Sequence, residues 1–211
     1  MEYTINIKGR LMDLSTPQVM GILNVTPDSF YSGSRKQTEM EIAQRANQII
    51  EEGGSIIDVG AFSTRPGADE VSEEEEGRRL KFALDIVRRE QPDAAVSVDT
   101  YRPTWARKCI EEWGADIIND VSEGGITGIV NVPLEQRQEE YPEMFRVVGE
   151  LKVPYILMSV QPTLETMMKG FAKEVQQLRD LGAKDIILDP GFCFGKNLIQ
   201  NYQIYDEMEK L

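Results

Sequence analysis

Histidine is absent from the whole 211-residue chain. That removes Ser-His-Asp and Cys-His catalysis, imidazole acid/base chemistry and the usual imidazole zinc sites. Cysteine is nearly absent, with Cys109 in a helical pattern and Cys193 in a loop, so neither a disulfide framework nor a thiolate metal site is suggested. Basic residues are few. Twenty-three Lys and Arg against 36 Asp and Glu give a formal charge of −13, which argues against nucleic-acid binding, since that rests on clustered cations meeting phosphates. No apolar run approaches the roughly 20 residues of a membrane span, and the start MEYTINIKGR lacks the basic and apolar segments of a secretory leader. A cytoplasmic protein without a membrane partner is expected. Any metal should be a hard ion held by oxygen, and Mg²⁺, which commonly arrives with substrate phosphates, is the natural candidate.

What the chain does contain is a repeating plan. Apolar runs at 19–25, 55–60, 95–100, 116–121, 154–159 and 185–190 each carry a polar residue near their end: Asn24, Asp58, Asp99, Asn119, Ser159 and Asp189. Runs apolar at successive positions are the habit of parallel strands covered on both faces. Helical patterns lie between them, near 104–113, 142–151, 164–181 and 197–211 as well as after Thr38 and Ser72. Thr38-Glu-Met-Glu41 and Ser72-Glu-Glu-Glu75 read as capping boxes, and the acids after Ser72 complement the helix dipole. Before the first run, the alternation Tyr3, Ile5, Ile7, then Gly9-Arg10, then Leu11 to Leu14, predicts a small antiparallel hairpin capping the floor of the main fold. The stretch 122–141 fits neither period and reads as a long surface loop.

Alternating strands and helices leave an open doubly wound sheet or a closed (β/α)₈ barrel. Six units suit the open sheet by number. No GxGxxG follows the first strand, however, and the polar tips are spread over all six units. A barrel carries its chemistry at that end of its strands.

Asn24-Val-Thr-Pro-Asp-Ser-Phe30 leaves a buried strand for a loop rich in oxygen, fit for a hard cation or a phosphate, or for no more than an Asn cap and a Pro-Asp turn. Ser63-Thr-Arg-Pro-Gly67 offers two hydroxyls and a guanidinium that can fork onto a diphosphate; an ordinary Pro-Gly turn is the alternative. Asp99, Asn119 and Asp189 can bind the amino-pyrimidine edge of a heterocycle, because a carboxylate accepts from two parallel N–H donors. They can equally flank a glycosidic bond, or each cap a helix. Six independent caps at six successive tips make a weaker account than one shared site. Gly191-Phe-Cys-Phe-Gly-Lys196 lacks the spacer and the final Ser/Thr of a P-loop, and Phe192 and Phe194 can wall an aromatic ligand or merely pack.

Taken in order, Asn24-Val-Thr-Pro-Asp-Ser-Phe30, Ser63-Thr-Arg-Pro-Gly67, Ser97-Val-Asp-Thr100, Ile118-Asn-Asp-Val121 and Leu188-Asp-Pro-Gly191 with Phe194-Gly195-Lys196 resemble the dihydropteroate synthase family of pterin-binding barrels. The resemblance implies an α/β, TIM-type (β/α)₈ barrel with an N-terminal β-hairpin and only six of eight βα units, residues 1–211 forming one domain incomplete at its C-terminus. It implies the joining of 4-aminobenzoate to 6-hydroxymethyl-7,8-dihydropterin diphosphate, with Mg²⁺, in folate synthesis. Asp99, Asn119 and Asp189 would hold the pterin edge, and Val121, Met158 and Phe194 would line its pocket. Asn24 would bind Mg²⁺ and diphosphate. Thr64 and Arg65 would join Asn24 as catalytic groups, in two loops that also hold Thr26, Pro27, Asp28, Ser29, Ser63 and Pro66. The nearest alternatives are a methyltetrahydrofolate-binding barrel of the corrinoid methyltransferase kind and a non-catalytic pterin-binding or interaction protein.

The chain departs from the family pattern after the fifth barrel strand, where Met158-Ser-Val-Gln-Pro162 replaces Met-His-Met-Gln-Gly, and at Cys193 and Asn197. It lacks the Ser-Arg-Lys and Arg-x-His motifs of the last two strands. Pterin recognition is therefore expected to be better preserved than turnover, and exposed sheet edges invite association. Family homodimer contacts come from late helices, so a homodimer does not carry over directly.

Overall fold

The computed structural model describes residues 3–25, 35–62, 71–125 and 141–211. Two strands form an antiparallel hairpin, β1 (Thr4–Ile7) and β2 (Arg10–Asp13). Six parallel strands follow in chain order, β3 (Met20–Asn24), β4 (Ile56–Gly60), β5 (Ala95–Asp99), β6 (Ile117–Asp120), β7 (Tyr155–Met158) and β8 (Ile186–Asp189). The helices are α1 (Arg35–Glu51), α2 (Glu73–Glu90), α3 (Pro103–Glu111), α4 (Glu143–Leu151), α5 (Leu164–Asp180) and α6 (Leu198–Asp206), with a 3₁₀ turn at Met208–Lys210. All six polar-tipped runs are thus strands. The chain divides into two compact units, residues 1–100 with 104–118 and residues 101–103 with 119–211.

In the first unit the parallel register is Met20–Ile56–Ala95, then Ile22–Asp58–Ser97, then Asn24–Gly60–Asp99. Partners in register share a sheet face, and successive residues alternate. The other face, carrying Leu23, Ile57, Val59, Val96 and Val98, is buried. Gly21 allows the close approach of α1: a Cβ there would stand 2.5 Å from Ile49 Cγ2. Ser72 caps α2 as expected, accepting from the Glu75 amide at 3.2 Å. Thr38 does not cap α1, because the helix begins at Arg35; it lies one turn inside and is buried. A Thr followed three residues later by Glu is compatible with a helix interior as well as with a cap, and the pattern alone does not separate them.

The hairpin is held under this unit by charge. Lys8 and Gly9, at φ 49° and 85°, make its tight turn. Lys8 Nζ lies 2.8 Å from Asp116 Oδ1 and 3.0 Å from the Gly114 carbonyl, and Arg10 donates to the Asp93 carbonyl at 3.0 Å. Asp116 also accepts from Arg88 and, at 2.8 Å, from the Val96 amide. These partners precede β5 and β6, so the hairpin caps the N-terminal ends of the strands, opposite the polar tips.

The second unit pairs β7 with β8 in parallel, Tyr155 with Ile186 through Met158 with Asp189. Tyr155 packs edge-on against Phe145 of α4 with ring centroids 6.0 Å apart. Strand β8 is half-exposed along its length, and α6 presents Leu198, Ile199, Tyr202 and Tyr205 at 65–71% exposure, the exposed apolar surface that association would use.

Candidate functional site

Each unit carries its own set of oxygen-bearing tips. In the first, Asn24 and Asp99 sit at the C-terminal ends of β3 and β5 and face each other across Gly60 of β4. A Cβ built on Gly60 would be 2.7 Å from Asn24 Oδ1 and 3.3 Å from Asp99 Oδ2. The two side chains therefore occupy the space an ordinary residue would fill, and glycine is what makes room for them. The Val25 amide donates to the Gly60 carbonyl at 2.8 Å, which extends the pairing past Asn24 and fixes the direction of the strand exit. One layer below lie Asp58, 5% exposed, and Ser97, fully buried with no hydrogen-bond partner for its hydroxyl among the described residues. Beside this row, Glu76 is buried and accepts from Thr100 at 2.6 Å. Burial, reinforced by Glu76, pushes the Cys109 thiol far above its usual range, which makes it an inert packing residue.

The second unit builds its tips around Asp120. The strand turns Asn119 to one face and Asp120 to the other, and both are buried. Asp120 Oδ1 accepts from the Ser122 amide at 2.8 Å and its hydroxyl at 2.6 Å, while Oδ2 accepts from the Gly124 amide and Tyr155 hydroxyl, each at 2.7 Å. Burial nevertheless raises the pKa of Asp120, and it raises that of Tyr155 further. These bonds wind the chain into three consecutive left-handed residues, Glu123, Gly124 and Gly125, at φ 52°, 71° and 86°. For Glu123 that conformation costs on the order of 1–3 kcal/mol and persists because the surroundings dictate it. The beginning of the 122–141 stretch is therefore not a surface loop. Ser122, Glu123 and Gly124 are buried, since Asp120 supplies partners for a backbone that would otherwise need water.

At the next two tips, Met158 and Asp189 are register partners, and the Ser159 amide donates to the Asp189 carbonyl at 2.9 Å. Asp189 turns the chain by accepting from the Gly191 amide at 2.8 Å. Gly191, at φ 60°, leaves no room for a Cβ against the Ser159 carbonyl and Met158 Cγ. Lys196 spends its ammonium on three carbonyls, Ser159 at 2.9 Å, Gly191 at 3.0 Å and Phe194 at 3.2 Å. Burial draws its pKa down against the pull of Glu123 and Asp189. This lysine is a loop brace, unlike the phosphate-binding lysine of a P-loop. Phe192 packs on Tyr205 at 6.1 Å, whereas Phe194 stays half-buried at the tip.

Of the residues singled out from the sequence, Asn24 and Asp99 are brought together in the first unit, and Asn119, Val121, Met158, Asp189 and Phe194 lie at the tips of the second. Thr26, Pro27, Asp28, Ser29, Ser63, Thr64, Arg65 and Pro66 lie outside the described residues. Sequence reasoning missed Gly60, whose role is space, and Glu123, which sits in a stretch without periodicity.

Parallel strands with amide and carboxylate tips at their C-terminal ends define the class, an α/β protein with a barrel-type sheet. The chain belongs to the pterin-binding enzymes, whose family pattern matches residues 20–211, and among them to the dihydropteroate synthases. It is 36% identical to dihydropteroate synthase of Escherichia coli over 93% of this chain and 69% of the relative. It is similar in structure to Xanthomonas albilineans dihydropteroate synthase solved with 4-aminobenzoic acid, with a TM-score of 0.82, 30% identity, and coverage of 100% of this chain and 74% of the other. A structure of the Anaplasma phagocytophilum enzyme with bound 6-hydroxymethylpterin-monophosphate gives a TM-score of 0.76 at 30% identity, covering 92% and 74%. The TIM-type fold and the transferase class expected from the motifs are thereby established.

Proposed function

We propose that this chain binds 6-hydroxymethyl-7,8-dihydropterin diphosphate at its strand tips and condenses it with 4-aminobenzoate, giving 7,8-dihydropteroate and diphosphate in a cytoplasmic folate pathway. The observation that carries the reading is the Asn24–Gly60–Asp99 row, two oxygen-bearing side chains opposed over a glycine at the C-terminal end of a parallel sheet.

Asp99, Asn119 and Asp189 are the groups that meet the pterin edge. Carboxylates accept from its ring N–H and amino group, and the carboxamide both donates and accepts. Met158, Val121 and Phe194 supply the apolar walls of a flat ring. Asn24 serves the diphosphate end. Asn24 is exposed, and its amide oxygen fits a Mg²⁺ ion that takes most of its ligands from phosphate and water, while among the described residues no cluster of three His, Cys, Asp or Glu suggests a cage built from protein alone. When bound there, the ion supplies charge stabilisation to the departing diphosphate. Thr64 and Arg65, with Thr26, Pro27, Asp28, Ser29, Ser63 and Pro66, are the groups assigned to the diphosphate and the aminobenzoate: a guanidinium and hydroxyls that donate to anionic oxygens. Charge develops on the pterin methylene as the C–O bond to diphosphate lengthens, and the aminobenzoate nitrogen attacks that carbon and loses a proton. The residues act by placing both reactants and opposing charge, which requires no histidine.

The test is calorimetric titration with the pterin diphosphate and Mg²⁺, beside dihydropteroate formation from labelled 4-aminobenzoate. Wild-type protein should bind, and Asp99→Asn and Asp189→Asn should each weaken binding at least about tenfold by leaving pterin donors unmatched. Folded wild-type protein that does not bind would end this assignment.

A further inference from the structure

Glu123 is buried, is held in a left-handed conformation by the Asp120 bonds, and has no part in the ligand chemistry above. Its carboxylate points at the next strand's tip. Oε1 accepts from the Val160 amide at 2.8 Å, the side chain also hydrogen-bonds the Ser159 hydroxyl, and Lys196 attracts it electrostatically. Ser159 is engaged through its backbone too. Its amide donates to the Asp189 carbonyl and its own carbonyl accepts from Lys196, which at the same time holds the Gly191 and Phe194 carbonyls. Met158 immediately precedes this residue, Asn119 and Val121 immediately precede the Glu123 turn, and Asp189 and Phe194 flank the segment that Lys196 holds. Ser159 itself stands where the family pattern has histidine, so the group Glu123 grips is one of this chain's departures.

We propose that Glu123 is a positioning residue, a latch that fixes the tip of β7 between the tips of β6 and β8 through Ser159 and Lys196, and so sets the spacing of Asn119, Met158, Asp189 and Phe194. The proposal rests on the pterin reading of those four residues. Its geometry is independent of that reading: the Glu123 carboxylate holds the Ser159 hydroxyl and the Val160 amide while the Lys196 ammonium holds the Ser159 carbonyl. A ligand reads the result as preorganisation, because tips already in register need no ordering when it binds.

Glu123→Ala removes the acceptor, whereas Glu123→Gln keeps an oxygen for the Val160 amide and Ser159. With the pterin diphosphate and Mg²⁺ as probe, Glu123→Ala should weaken binding about tenfold or more, and Glu123→Gln should stay within about threefold of wild type. Hydrogen exchange should quicken at Val160 and across 191–196 in Glu123→Ala, remain unchanged at Leu80 and Leu84 in α2, and recover in Glu123→Gln. Unchanged affinity and exchange in Glu123→Ala, or failure of Glu123→Gln to rescue either, would overturn the latch. If Glu123→Ala does not fold, Ser159→Ala takes its place, with slower exchange or equal exchange at Val160 counting against the proposal and faster exchange supporting it. Wild-type protein that does not bind the pterin would reject the ligand assignment, while the exchange comparison would still decide the latch.

Discussion

Replacing Gly60 by alanine separates room for the site from stability of the fold. Gly60 has a strand conformation that alanine adopts without strain, so the backbone need not move. The new methyl would be placed 2.7 Å from Asn24 Oδ1, whereas carbon and oxygen settle at about 3.3–3.6 Å, so the amide must retreat by roughly 0.6–0.9 Å. Asp99 Oδ2, at 3.3 Å, sits at the limit of tolerance. Asn24 is exposed and can swing toward water. The overpacking cost, ordinarily about 1–3 kcal/mol, should fall toward its lower end, and the restriction of the unfolded chain returns about 0.4–1 kcal/mol. Net stability should change by no more than about 1 kcal/mol, read by urea denaturation. A displacement approaching 1 Å at a catalytic group, by contrast, can cost about 10²-fold in rate. The expected signature is a loss of kcat/KM on that order in dihydropteroate formation, with diphosphate-end binding weakened and the melting curve nearly unmoved. Activity within about threefold of wild type would refute the reasoning, because the oxygen would then not need its place. So would activity that falls only in proportion to unfolded protein.

Asp116→Ala should lower stability by about 2–4 kcal/mol, since it orphans the buried Val96 amide and takes away the carboxylate of Arg88, which keeps only the Gly114 and Ala94 carbonyls, while Lys8 remains mostly in water; equal urea midpoints would contradict this. A pH effect follows from Glu123. Burial raises its folded-state pKa above the ordinary value of about 4.3, opposed by Ser159, the Val160 amide and Lys196 and aided by Asp120. Stability that a raised acid contributes is complete below the unfolded pKa and is lost as pH rises through the folded value. Relative to wild type, Glu123→Gln should therefore gain stability as pH rises above the unfolded value of about 4.3, and a difference flat with pH in paired denaturation curves would reject the shift.

How far the sequence could be read depended on whether a feature is periodic or local. The six strands, the hairpin, the Ser72 cap and the polar residues near the strand ends are local patterns, and they stand where the pattern placed them except Asp58, which lies one layer below the tip that Gly60 occupies. Thr38 misled because a cap and a helix interior share the same residue spacing. The 122–125 turn carries no period at all: it is dictated by Asp120, whose four acceptor bonds include one from Tyr155, 35 residues away. The motif mismatch set the Lys196 segment apart from a P-loop but could not say what the lysine does instead, because its three partners are backbone carbonyls, and carbonyls look alike in every sequence.

By itself the sequence determined the family, the six parallel strands with oxygen-bearing residues near their ends, and the exclusion of histidine chemistry from this chain, since these follow from residue identity and spacing along the chain. Only the tertiary structure decided that Gly60 is the space between Asn24 and Asp99, that Glu123 turns inward, and that Lys196 braces a loop. Each of these depends on which atoms are brought within about 3 Å of one another, the range over which hydrogen bonds form and atoms collide, and residues far apart in the chain meet at that distance only once the fold has formed.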